Sequence, residues 1–132
     1  MGFESLFGSQ QERGYYARDT SFMKTLKFKP YLVNKILKGE KTSTWRLFDD
    51  KDLQIGDELE FINKETLETF GYAKITSLKI KTLGSLEEDD WIGHSKYSSE
   101  EEMYTDFRKF YGDNVNENTE VKILNFKFSG IA

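Results

Sequence analysis

Nine residues, from Lys38 to Arg46, hold two lysines, one arginine, two threonines, a serine and a tryptophan, and the chain turns acidic just after them, in 38-KGEKTSTWRLFDD-50. These side chains suit the recognition of an anion or a base. Arg46 offers a planar fork that fits a phosphate or a carboxylate. The threonines can hydrogen-bond an amide or a base edge. Lys41, crowded by Lys38 and Arg46 and partly desolvated, would lose basicity and act as a base. Trp45 could stack on a nucleobase, worth ~1–3 kcal/mol. If 40–47 runs extended, Lys41, Ser43 and Trp45 point to one side and Thr42, Thr44 and Arg46 to the other. The plainer reading is a threonine-rich edge strand beside a solvated basic loop, with Trp45 in the core and the lysines matching a helix C-terminus. Residue chemistry alone leaves both readings open.

Two further positions carry chemistry. His94 is the single histidine. It is either a proton carrier near neutral pH or a loop histidine bonded to a main-chain carbonyl. Tyr97 either closes a cleft by stacking or staples the start of a helix. The acidic run 87-EEDD-90 lacks the partner histidine or loop glycine of a metal site and reads as a solvated helix start. With no cysteine in the chain, disulfides, thiolate metal sites and a catalytic thiol are excluded. No metal and no cofactor are expected.

The elements that must position these residues follow from pattern. The 132 residues suit one domain. Residues 1–22 show little periodicity and read as a leader, an expression remnant or a flexible arm, with the domain spanning 23–132. In 25-TLKFK-29, Leu26 and Phe28 alternate as in a strand. Pro30 then opens a helix through 31-YLVNKILKG-39, with Leu32, Val33, Ile36 and Leu37 in a stripe and Gly39 as its stop. A Gly-Asp turn at 56–57 precedes alternating Leu59 and Phe61, and 63–69 turns the chain back. The long run 70-FGYAKITSLKIK-81 shifts its apolar parity near Ile75, which predicts a bulge. Ser99 and Glu102 form a capping box, and Met103, Phe107 and Phe110 read as the core stripe of a helix ended by Gly112. The closing run 121-VKILNFKF-128 is apolar on both faces, as in a strand inside a sheet. Mixed strands bent by bulges, with helices at the ends, predict an α+β fold: a small closed barrel with two or three flanking helices.

Charge is unevenly spread. The net charge is −4 and the pI is about 5.1, which argues against broad non-specific grip on nucleic acid. Residues 24–48, however, hold Lys24, Lys27, Lys29, Lys35, Lys38, Lys41 and Arg46 against Glu40 alone, a local balance of +6. Such a basic mouth suits one phosphate or a short strand. No run approaches the ~20 apolar residues of a membrane span, and a cytoplasmic protein is the expectation.

The order of these elements, together with Gly39, Lys41, Thr44 and Arg46 as Gly-x-Lys-x-x-Thr-x-Arg and the supporting Gly-Asp turn, resembles the ASCH domain family over residues 24–128. The resemblance implies a PUA-like barrel and a cleft, lined by the motif, that faces RNA or a modified nucleoside. Some small bacterial members are amidohydrolases that remove the acetyl group from 4-acetylcytidine, using the motif lysine and threonine with a glutamate shortly before the late helix. The matching positions here are Lys41 and Thr44, while the glutamate position falls near Ser95, flanked by His94 and Lys96. The residues and the resemblance together leave four readings. The first is an RNA- or nucleoside-binding module using Gly39, Lys41, Thr42, Thr44, Trp45, Arg46 and Tyr97. The second is an amidohydrolase with Lys41 as base, Thr44 as polariser or nucleophile and His94 as third member. The third is a ribonuclease acting in the same cleft. The fourth is a domain whose aromatics pack a protein partner.

Overall fold

A computed structural model describes residues 23–130; the expectation for residues 1–22 lies outside them. Strand β1 (Lys24–Phe28) leads through Pro30 into helix α1 (Pro30–Leu37). Proline at the first helical position needs no N–H there, and its fixed φ favours the turn. Gly39, at φ +78°, ends the helix and reverses the chain. Strand β2 (Ser43–Leu47) follows, then β3 (Glu58–Asn63), β4 (Thr69–Thr82), helix α2 (Glu100–Tyr111) and β5 (Glu120–Gly130). Short 3-10 turns at Leu83–Ser85 and Glu88–Trp91 bridge β4 and α2.

The strands form one five-stranded mixed sheet in the order β1-β3-β4-β5-β2, with β1 parallel to β3 and the other neighbours antiparallel. It curls into a half-barrel, so the α+β class expected from the sequence, a small curved mixed sheet with flanking helices, holds. The expected closure does not. β1 and β2 are the two edges of the sheet, and the ring stays open between them. α1, the link between these edges, buries Val33 and Ile36 in the core instead of supplying a strand. The parity shift in the long strand is a bulge: the β4–β5 register slips between Ile75 and Ser77, which bends the strand.

The bent sheet divides two cores. Leu26, Phe28, Leu59, Phe61 and Ile75 gather with α1 in the first. Trp45, Leu47, Leu83, Met103 and Phe107 gather with α2 in the second. β5 serves both, sending Leu124 and Phe126 to the first and Val121 and Ile123 to the second. That is why its sequence is apolar on both faces. Each fully buried Leu or Phe contributes about 1.5–3 kcal/mol.

Four sequence expectations shift. Leu37, placed in the apolar stripe of the first helix, is 45% exposed, because the stripe is satisfied by Val33 and Ile36. Phe110, read as core, is 57% exposed, since Met103 and Phe107 already fill the groove under α2. The capping box is half formed: the Ser99 hydroxyl accepts the Glu102 N–H at 3.0 Å, while the Glu102 carboxylate turns to the N–H and hydroxyl of Ser98 at 2.9 and 2.7 Å. Finally, the acidic run is not wholly solvated. Asp90 is 1% exposed and pairs with Lys79 and with Lys81, the latter at 2.8 Å. Burial works against its charge, but hydrogen bonds from both lysines and the Glu87 N–H outweigh that and hold its pKa at about 2.

Candidate functional site

The open seam of the half-barrel is a pocket of about 390 Å³. Its walls come from the end of β1, the start of α1, strand β2, the loop 94–97 and the exposed face of α2. Three consecutive β2 residues, Thr44, Trp45 and Arg46, all line it. Side chains on a strand alternate between faces, so a wall formed by three in a row means that the pocket runs along the free edge of β2.

Lys41 lies at the inner wall, 5% exposed. Its Nζ donates to the Ser43 carbonyl at 2.6 Å. Burial, reinforced by the like charge of Lys35, lowers its pKa to about 8. The crowding expected from Lys38 and Arg46 is thus supplied chiefly by desolvation and by Lys35.

His94 is held over Trp45, ring centroids 4.3 Å apart and nearly parallel. Its Nδ1 lies 2.8 Å from the Ser95 carbonyl. A carbonyl only accepts, so Nδ1 carries the proton and Nε2 keeps its lone pair. Burial, then the charge of Lys41, lower the ring's pKa to about 4, against a small opposing effect of the Ser95 carbonyl. His94 is therefore neutral at pH 7 and is not the near-neutral proton carrier that its residue type suggests.

The loop that carries His94 is clipped to the motif strand. The Gly93 carbonyl accepts the N–H groups of Thr42 and Ser43 at 3.1 and 3.2 Å. Gly93 sits at φ +78°, where a Cβ would collide with the Thr42 hydroxyl. Only glycine meets both demands. Thr42, exposed, lies beside Gly93, and Gly39 lies at the end of α1; neither lines the pocket. Lys41, Thr44, Trp45, Arg46, His94 and Tyr97 are brought together there.

Trp45 is 4% exposed, and its faces are taken by His94, Trp91 and Phe107. It leaves no open face for a base. Tyr97 packs at the edge of Trp91 and Phe107, and its hydroxyl donates to Asp106 at 2.5 Å. Burial, then that carboxylate, raise its pKa. The open aromatic faces are elsewhere on the rim, on Tyr31 and Phe110, 59% and 57% exposed, with the Lys64 ammonium 4.3 Å from the Phe110 ring centre.

Sequence reasoning missed the α2 contribution. Glu102, Asp106 and Lys109 face the pocket, and their 3- and 4-residue spacing beside the Met103–Phe107 stripe is the signal that would have found them. No carboxylate stands at Ser95, which instead receives the Lys35 ammonium on its hydroxyl at 3.2 Å. The pocket's carboxylates belong to the helix, and each is already engaged, Glu102 by Ser98 and Asp106 by Tyr97. Among the described residues no cluster suits a metal ion, and no helix is long and apolar enough to cross a membrane.

An α+β half-barrel with a basic seam pocket is the class that fold and site define. The same fold is found in solved structures. The chain superposes with a TM-score of 0.73 on protein EF3133 from Enterococcus faecalis V583, of family DUF984, at 14% identity over 86% of this chain and 84% of that one. An ASCH domain from Lactobacillus crispatus JV V101 matches with a TM-score of 0.62, 20% identity and coverage of 80% and 79%. ASCH from Zymomonas mobilis matches at 0.59, 10% identity and coverage of 81% and 68%. The fold is ASCH-like. No family model matches the sequence, and no curated protein matches it.

Proposed function

We propose that the seam pocket binds RNA or a phosphorylated nucleoside, one base entering between β1 and β2 while phosphates stay at the mouth. The observation that carries this reading is charge. Lys27, Lys29, Arg46, Lys64, Lys96 and Lys109 surround the pocket against only Glu102 and Asp106, on a chain whose net charge is −4. Concentrating cations at one concave site on an acidic protein focuses the field on an anion. The cations come from every wall of the pocket, whereas a solvated basic loop would cluster them on one segment. Tyr31 and Phe110 supply exposed faces for neighbouring bases. The ASCH-like fold supports the same ligand class.

The test is fluorescence anisotropy with a labelled single-stranded RNA of about six nucleotides in a salt series. Binding should weaken as salt rises, because phosphate contacts release counterions. Lys29→Glu with Lys109→Glu should weaken it by at least about tenfold. Salt-independent binding, or affinity untouched by the double variant, refutes the reading.

One observation favours a second reading, hydrolysis of an acylated nucleoside. Half of Lys41 is neutral near pH 8, inside the range where a lysine serves as a base, and Thr44 lines the same wall. His94 Nε2 offers a lone pair rather than a proton. Incubation with 4-acetylcytidine followed by chromatography, with Lys41→Ala as control, decides it. Release of cytidine by the wild type alone supports hydrolysis; no release, or equal release by both, rejects it.

A further inference from the structure

Two contacts join the walls of the pocket. The Lys64 ammonium, on the turn between β3 and β4, lies 4.3 Å from the centre of the Phe110 ring on α2. The Lys35 ammonium, on α1, donates to the Ser95 hydroxyl at 3.2 Å. Lys64 is tied to the first core, because its N–H donates to the carbonyl of Phe28 at 2.8 Å. Phe110 belongs to the second side, three residues beyond the buried Phe107. Both residues line the pocket and both are exposed, so their contact stands at its open end. In each bridge the lysine meets a neutral partner, a ring face or a hydroxyl. The carboxylates that line the same pocket are taken elsewhere, Glu102 by Ser98 and Asp106 by Tyr97.

We infer that Lys64 and Phe110 form a clasp that holds the pocket mouth narrow, and that an oxyanion arriving at the mouth opens it by drawing the ammonium off the ring. The inference rests on the reading above only for the charge of the ligand, not for its base. At an exposed site a cation over a ring favours the closed arrangement by about two- to fivefold. A phosphate oxygen carries a full opposite charge and accepts a charge-assisted hydrogen bond, which the quadrupole of a ring does not match. Ring and oxyanion compete for one ammonium, so clasp and bound anion exclude each other. Once Lys64 leaves, Phe110 stays beside Tyr111, ring centroids 5.3 Å apart, and the last turn of α2 can part from the β3–β4 turn. That turn of helix ends at Gly112, φ +102°, where the chain is free to pivot. A neutral ligand must break the clasp unaided. An anionic one does not, and the mouth therefore favours a phosphorylated ligand over its neutral counterpart.

Acrylamide quenching of tryptophan fluorescence reads the opening with no nucleotide present. Acrylamide is uncharged, so a changed charge at the mouth does not alter its approach. The chain has two tryptophans. Trp45 lines the pocket at 4% exposure, and Trp91 packs on it with ring centroids 4.5 Å apart. Lys64→Met and Phe110→Leu each keep apolar bulk and remove one half of the clasp. Either should raise the quenching constant about twofold, and the pair together should add nothing further. Lys64→Arg keeps a cation for the ring and should quench as the wild type does. Inorganic phosphate, compared with chloride at equal ionic strength, should raise quenching of the wild type about twofold and leave Lys64→Met unchanged. Both side chains are exposed, and matching circular dichroism spectra check that the variants are folded. Unchanged quenching in both single variants, additive effects in the double variant, or a wild type indifferent to phosphate overturns the clasp. The nucleotide reading then still stands or falls by its own anisotropy test.

Discussion

Lys41 and Asp90 are two ionisable side chains with nearly the same burial, 5% and 1% exposed, yet the molecule treats them oppositely. Asp90 meets two lysines of β4 and the Glu87 N–H, so its charge is favoured and its pKa falls to about 2. Lys41 meets a neutral carbonyl and the like charge of Lys35, so its charge is disfavoured and its pKa falls to about 8. Desolvation opposes both charges. Only at Asp90 is it offset. The compensated group is a rivet: it fixes the turn Glu88–Trp91 to β4, and through it the loop that holds His94 and Tyr97 over the pocket. The uncompensated group lies in the pocket wall, where the missing partner is what a ligand can supply. Burial is common to both side chains; the lack of a compensating charge is what distinguishes Lys41.

The largest effect separating the two concerns pH. The folded pKa of Lys41, about 8, lies below its unfolded value of 10.5. The folded state therefore loses its proton first, and stability rises with pH across that window. Relative to Lys41→Met, the wild type should gain up to roughly 3 kcal/mol between pH 8 and 10.5 in urea titrations. A flat difference would show that Lys41 is solvated. Asp90 runs the other way. Its folded pKa is depressed, so its contribution is present above the unfolded value near 4 and disappears as pH falls toward 2. Asp90→Asn should cost about 2 kcal/mol at pH 7, read as a lower urea midpoint, and nothing extra below pH 2. Removing the N-cap of the helix beside the pocket, Ser99→Ala, should cost about 1 kcal/mol in the same assay. Smallest of all, Lys35→Ala should raise the pKa of Lys41 only slightly, because burial is the larger cause. A return to the ordinary lysine range would mean that Lys35, not desolvation, sets it.

Most of the framework was legible because local pattern and tertiary packing agree. Leu26 with Phe28, Leu59 with Phe61, and the two-faced strand Val121–Phe128 state their burial in their spacing. The bulge near Ile75 was visible as a change of parity. The motif Lys41, Thr44 and Arg46 does converge on one concavity. What the sequence did not show depends on how the elements pack, not on local pattern. Asp90 looks solvated until Lys79 and Lys81 are placed beside it. Phe110 looks like core until Met103 and Phe107 are seen to fill the space below. The open ring depends on which strands become edges, and no local pattern encodes that. The loss of Trp45 as a stacking surface follows from its contacts with His94 and Trp91, 49 and 46 positions away in the chain.

Direct carbon-13 and nitrogen-15 NMR of the lysine side chains tests the central claim, that Lys41 is an uncompensated cation in a nucleotide-binding wall. In the free protein one lysine, assigned by its loss in Lys41→Met, should titrate near pH 8. A short single-stranded RNA should shift that resonance and raise its midpoint, since phosphate or carbonyl oxygens supply the missing acceptors. A Lys41 midpoint above 10 in the free protein, or an RNA titration that leaves its signal unmoved, contradicts the account.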